Sequence, residues 1–201
     1  MNRTRPDHYT NRAKQSGYPA RSVYKLEEIQ NKFHVLLRGQ TILDIGAAPG
    51  SWSMFASEQA GGEGRVVAVD LKTCSIPDGY ENIEVLTGDA FSGEIRDLLI
   101  KSAPFDTILS DAAPSTTGNR TVDTARSAGL AEGCMDVAAA MLRTGGSLVI
   151  KIFQGGEEQA ILRELRRMFT SVKPFKPGAS RKDSFELFLI AKGFKGEVSH
   201  G

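Results

Sequence analysis

Cysteine is scarce in this chain, long apolar runs are missing, and charge of neither sign prevails. Among its 201 residues only Cys74 and Cys134 are cysteines, far apart and outside any C-x-x-C spacing, so neither a disulfide framework nor a zinc site is indicated. No bound metal is expected, and a reducing cytoplasm is the compartment that suits this usage. No stretch approaches the ~20 apolar residues of a membrane-spanning helix. The N-terminus is polar and charged where a secretory signal needs an apolar core, so a soluble protein with no membrane partner is expected. A formal net charge of +1 exerts no global pull on nucleic acid. No internal repeat, linker or low-complexity segment interrupts the chain, so one domain over 1–201 is expected, of a length that one α/β core can fill.

The distribution of charge says more than its sum. In the first forty positions Arg3, Arg5, Arg12, Lys14, Arg21, Lys25, Lys32 and Arg38 face only Asp7, Glu27 and Glu28, with His8, Tyr9 and Tyr18 between them. A basic arm over 1–20 that carries aromatic rings is what a phosphate backbone with unstacked bases attracts. Arg3, Arg5, Arg12, Lys14 and Arg21 are therefore candidate RNA contacts, with Lys173, Lys176, Arg181 and Lys182 as a second rim. An ordinary solvated N-terminus is the competing reading.

The chain is organised around TILDIGAAPGSW, from Thr41 to Trp52. Thr41, Ile42, Leu43 and Ile45 form a short, largely β-branched run of the kind buried on both faces of a sheet, and Gly46 ends it. A helix is expected to begin near Ser51. Glycines at 46 and 50 let the turn between strand and helix pass close to a ligand, with the free N–H groups of the helix start aimed at it. The spacing lacks the second glycine of G-x-G-x-x-G, which disfavours a pyrophosphate and with it an NAD-linked oxidoreductase. The next strand, Arg65 to Val69, ends in Asp70, about 20 positions on, where a carboxylate can hold a ribose diol. A third strand near Ile83 to Leu86 ends in Gly88-Asp89, placed for an adenine amino group. This order of features suits S-adenosylmethionine, with Gly46, Pro49, Gly50 and Trp52 shaping its amino-acid end.

Further along, Arg21 to Phe33 has helical spacing that leaves Lys25 off the apolar stripe. A helix from Ser92 to Lys101 precedes a strand Phe105 to Leu109 that ends in Asp111 and Pro114. A long helix from Val122 to Leu142 stops at Gly145-Gly146, and Ser147 to Ile150 delivers Lys151. A charged helix from Glu157 to Met168 leads to two last strands, Ser171 to Phe175 and Phe185 to Ala191. Seven strands with intervening helices predict an α/β, Rossmann-like fold with a mostly parallel sheet, which with S-adenosylmethionine as its ligand is expected to be a methyltransferase fold. The helix-free connection from Lys176 to Ser184 predicts an antiparallel last strand, which returns Glu186 to the ligand edge. Asp111, Lys151 and Glu186 then stand together. A lysine at the end of a buried strand must be paired or neutral, which fits chemistry better than structure. Asp111 with Pro114 also echoes exocyclic-amine methyltransferases, but Ala112, Ala113 and Ser115 supply no aromatic residue to stack a base.

The segments YPARSVYKLEEI, DIGAAPGSW, VVAVD, LSDAAPSTTG, GGSLVIKIFQG and PGASRKDSFELFLIAKG, spread from Tyr9 to Gly193, together resemble the FtsJ-like ribose 2′-O-methyltransferases of RNA. Ser51 stands where many members have a second glycine, and serine can start a helix equally well. The resemblance implies a catalytic tetrad of Lys25, Asp111, Lys151 and Glu186, and it alone promotes Lys25. It implies S-adenosylmethionine held by Asp70, Asp89 and Asp111, and methyl transfer to a ribose 2′-hydroxyl; since an alcohol must lose its proton as it attacks, Lys151 is the expected base, oriented by Asp111. Length and layout are most like the subgroup acting on large-subunit (23S-type) ribosomal RNA, with a uridine as target, the large subunit or its RNA as partner, a monomeric enzyme and no DNA. A subgroup acting on transfer RNA shares the tetrad. A non-catalytic RNA-binding module on the same fold is a further alternative, which the intact tetrad disfavours.

Overall fold

The computed structural model describes residues 8–181 and 183–196. Arg3, Arg5 and Lys182, three of the basic residues expected to meet RNA, lie outside the described residues. Seven strands among those described form one sheet: β1 (Thr41–Ile45), β2 (Arg65–Asp70), β3 (Ile83–Thr87), β4 (Phe105–Ser110), β5 (Leu142–Phe153), β6 (Phe169–Phe175) and β7 (Glu186–Phe194). Their order is β3-β2-β1-β4-β5-β7-β6. The helices are α1 (His8–Gln15), α2 (Val23–Phe33), α3 (Ser51–Ala60), α4 (Gly93–Ile100), α5 (Arg120–Met141) and α6 (Glu158–Met168).

The alternation of side chains along the strands explains the layering. Ile42, Val66, Leu109 and Val149 point to one face and pack with Leu26 and Ile29 of α2 and Phe55 and Ala56 of α3. Their neighbours Leu43, Val67, Ile108 and Leu148 point to the other, against Leu99 of α4, Val137 of α5 and Leu165 of α6. Strands apolar at every position are thus buried twice, as parallel strands covered by helices on both sides must be.

β1, β2, β3, β4 and β5 pair in parallel, and β7 runs antiparallel between β5 and β6. The expected reversal is present, and Glu186 pairs with Phe153 at the carboxyl end of β5. Two local differences have simple causes. Gly145-Gly146 does not terminate α5. It lies inside β5, where pairing jumps from Phe105–Leu142 to Thr107–Ser147 and Gly145 takes φ +84° to absorb the bulge. From His8 the basic arm is helical, with Ala13 buried and the Tyr9 ring 5.6 Å from that of Tyr24. The charge pattern hid this short apolar face. No described helix is long and apolar enough to cross a membrane.

Candidate active site

The turn after β1 is clipped to β2, because the N–H groups of Gly46 and Ala47 both donate to the Val69 carbonyl, at 2.8 and 3.2 Å. Gly46 has φ +77°, and a Cβ there would stand 2.7 Å from the Ala112 Cα; Gly50 has φ +119° and would meet Ile76 Cδ1 at 2.6 Å. Both positions exclude a side chain. The N–H groups of Ser51, Trp52 and Ser53, in the first turn of α3, have no partner within the helix, whose ladder opens with Met54 donating to Gly50.

Two carboxylates are fixed beside this turn. Asp70 accepts from the N–H of Ala48 at 3.0 Å and of Lys72 at 2.8 Å, and Asp89 accepts from that of Phe91 at 3.0 Å. Gly46, Asp70, Asp89 and Asp111 line one cleft of about 440 Å³, with Phe91 and Leu130 among its apolar walls. Phe91 lay in no motif and was not foreseen. The structure places the other expected cofactor residues differently. Pro49 is exposed and Gly50 lies under Ile76. Trp52 is 2% exposed, its indole N–H donating to the Ser22 carbonyl at 2.8 Å and its ring 5.7 Å from Phe188. The indole belongs to the core between α2, α3 and β7.

Under the turn lies Asp44, fully buried, with Oδ2 accepting from the Ser53 hydroxyl at 2.6 Å and Oδ1 without a partner. Burial pushes its carboxyl up to about 7, against the lowering effect of the Ser53 hydrogen bond and with help from the charges of Asp111 and Asp70. The folded state therefore keeps this proton to higher pH than the unfolded chain, so the stability it contributes is complete below ~4 and is lost as pH rises through 7. Between pH 5 and 8 the protein is expected to lose on the order of 2 kcal/mol that Asp44→Asn does not lose, as measured by urea denaturation at each pH. Parallel pH profiles for the two proteins would contradict this.

The four charged residues meet beyond the carboxyl ends of β4 and β5. Lys151, 8% exposed, donates to Asp111 Oδ1 at 2.8 Å and to the Asp111 carbonyl at 2.6 Å. Lys25 reaches over from α2 and pairs with Glu186 Oε1 at 2.6 Å, with Asp111 Oδ1 at 3.8 Å. Burial alone would raise the Glu186 pKa, but the charge and hydrogen bond of Lys25 outweigh it and hold the carboxyl below its ordinary value. Two ammonium and two carboxylate groups thus balance in a partly desolvated cluster. They stand where two cavities adjoin: Asp111 lines the first cleft, whereas Lys25, Lys151 and Glu186 line a second of about 540 Å³, and Ala113 lines both.

Arg21 and Arg181 also line the second cavity. Arg21 donates to the Ala179 carbonyl, and its pKa is lowered by burial and then by the charge of Arg181. Arg12 is tied to Glu27 at 3.4 Å and lies 4.2 Å from the centroid of the Tyr24 ring, while Lys14 is exposed. Lys176 donates to the Ser184 carbonyl at 2.8 Å, and Lys173 is exposed on the edge strand β6.

The first cleft offers two fixed carboxylates to hydroxyl and amino donors between apolar walls, a set that fits an adenosyl group. The second is cationic and has room for a group of nucleoside size. A family model for FtsJ-like methyltransferases matches residues 18–194. The protein of Treponema denticola named ribosomal RNA large subunit methyltransferase E is 47% identical over 191 residues, 95% of this chain and 96% of that one. The protein of the same name from Syntrophobacter fumaroxidans is 48% identical over 193 residues, 94% of this chain and 96% of that one. Among solved structures, a Plasmodium falciparum protein described as a ribosomal RNA methyltransferase superposes with a TM-score of 0.79 at 26% identity, covering 90% of this chain and 100% of that one. Fibrillarin from Aeropyrum pernix, solved with natively bound S-adenosyl-L-methionine, shares the fold with a TM-score of 0.60 at 18% identity, over 85% of this chain and 76% of that one. The matched span contains the glycine turn, both strand-end carboxylates and all four charged residues, and the chain belongs to the FtsJ-like methyltransferase family.

Proposed function

We propose that this protein methylates a ribose 2′-hydroxyl of large-subunit ribosomal RNA, acting as a single-domain monomer in the cytoplasm. The observation that carries the reading is the pairing of Lys151 with Asp111 at the junction of the two cavities. Asp70 would hold the ribose and Asp89 the adenine of S-adenosylmethionine, with the turn from Gly46 to Trp52 enclosing its amino-acid end. Bound there, the cofactor supplies an electrophilic methyl group on a sulfonium.

An alcohol is a weak nucleophile at neutral pH, so its proton must leave as it attacks. A lysine ammonium has three N–H donors, and Asp111 engages two of those on Lys151. Once its third proton has passed to solvent, Lys151 as a neutral amine keeps both bonds and turns its lone pair to the remaining direction. Lys151 then takes the hydroxyl proton. Asp111 fixes the approach of that amine, and Glu186 holds Lys25 against the same site, so the oxygen is aligned by groups already locked in place. Arg21 and Arg181, which line the second cavity, would meet the phosphates nearest the ribose, and Arg12, Lys14, Lys173 and Lys176 would add to the attraction for the RNA backbone.

Incubating the protein with labelled S-adenosylmethionine and large ribosomal subunits from cells lacking it, then digesting the RNA to nucleosides, tests the proposal. The label is expected in a 2′-O-methylated nucleoside, and in the undigested RNA the linkage on its 3′ side is expected to resist alkali. Label on a base would refute the reading.

A further inference from the structure

Two phenylalanines stand where the fold has no need of them. Phe153 closes β5 and Phe185 immediately precedes β7. Their rings meet edge to face with centroids 4.6 Å apart at 60°. Both are partly buried, yet neither belongs to the hydrophobic clusters on the two faces of the sheet or packs against them. They line instead the second cavity, among Lys25, Lys151 and Glu186. The pair is held rigidly. The Gln154 N–H donates to the Phe185 carbonyl at 2.8 Å, and Arg120, which donates to the Gln154 carbonyl at 3.3 Å, lies 5.4 Å from the centroid of the Phe185 ring.

Two aromatic rings in a cavity whose other lining residues, Ala113 apart, are charged or polar fit a flat ligand with an apolar face and a polar edge. We propose that Phe153 and Phe185 form the stacking platform for the base of the nucleotide being methylated, one ring lying against its face while the other, inclined at 60° to the first, meets its edge. The inference rests on the ribose reading above. The 2′-oxygen and the glycosidic nitrogen are borne by adjacent sugar carbons, so a hydroxyl delivered to Lys151 brings its base within a few ångströms. The sheet places the platform at that distance. Lys151 and Phe153 are two apart on β5 and so share a face, and Phe153 pairs in register with Glu186, next to Phe185. A base stacked within a duplex cannot enter such a cavity, so the target nucleotide is bound unpaired or turned out of its helix. Stacking on a ring face is tolerant of base identity, so the platform supplies affinity and alignment, and sequence selection comes from elsewhere.

The test compares Phe185→Leu with Phe185→Tyr, using large subunits as substrate and labelled S-adenosylmethionine. Leucine keeps apolar bulk and loses the flat face; tyrosine keeps both. Phe185→Leu is expected to lower kcat/KM for the RNA by about 5- to 100-fold, while Phe185→Tyr stays within about threefold of the parent. The Kd for S-adenosylmethionine, measured by calorimetry, is expected to be unchanged in both, since neither ring lines the first cleft. Phe153→Leu is expected to follow Phe185→Leu, which covers the case of one variant folding poorly in a thermal melt. A leucine variant as active as the parent, or leucine and tyrosine variants equally impaired, would overturn the platform. The position of the label separates the two readings: methyl on a base refutes the ribose assignment, whereas methyl on ribose with fully active leucine variants refutes the platform alone.

Discussion

Lys151→Ala is expected to lower the single-turnover rate of methyl transfer by about 10²–10⁴-fold, the range associated with loss of a general base, while the Kd for S-adenosylmethionine moves by less than about threefold. The split follows from where the side chain points. Lys151 lines the second cavity and not the first, so its removal takes nothing from the walls proposed to hold the adenosyl group. Nor does it orphan a charge, because Asp111 keeps Lys25 at 3.8 Å as a second partner. Rapid quench with saturating enzyme measures the rate, and calorimetry the affinity. A variant that turns over at near-normal rate would remove Lys151 from the chemistry. One that merely fails to bind cofactor would make it a structural residue.

Gly46→Ala is expected to abolish cofactor binding within the accessible concentration range and to cost roughly 2–3 kcal/mol of stability, seen as a fall in Tm of about 5–10 °C. The obstacle to the new methyl group is main chain, which cannot rotate aside: Ala112 presents its Cα at 2.7 Å and its N at 2.9 Å. The left-handed φ of +77° adds roughly 1 kcal/mol for any residue with a Cβ. Relief requires the ends of β1 and β4 to part, which displaces Asp111 together with Ala112. Gly62→Ala is the matched control, since a Cβ there meets nothing within 4 Å, and it should leave both affinity and Tm unchanged. Equal behaviour of the two variants would show that the close approach at Gly46 has no functional weight.

The residues foreseen in the sequence are those whose position follows from where a strand ends. Gly46, Asp89 and Asp111 follow a strand, Asp70 terminates one and Lys151 lies two residues before the end of β5, and a parallel sheet delivers all such ends to one edge. Glu186 required one more step, the reversal implied by a connection without a helix, and the antiparallel register of β5 and β7 supplies it. Lys25 is different in kind. It sits on a helix, and nothing in the local pattern says that its four-carbon stem carries the ammonium to within 2.6 Å of a residue 161 positions away. Only the resemblance to a family marked it. The platform phenylalanines were invisible for a related reason, since a phenylalanine at a strand end looks like core until the tertiary structure leaves it out of the core. Trp52 shows the converse. Its place beside the glycine turn pointed to the ligand, but the Ser22 carbonyl and Phe188 claim the indole.

The most direct test is to change the proposed nucleophile itself. Once the methylated nucleotide is mapped, a large-subunit RNA carrying 2′-deoxyribose at that one position is offered with labelled S-adenosylmethionine beside the unmodified RNA. Incorporation into the unmodified RNA with none above background in the deoxy-substituted one is the expected result. Equal incorporation into both would mean that the methyl goes to another atom, and that the cluster of Lys25, Asp111, Lys151 and Glu186 serves a different reaction.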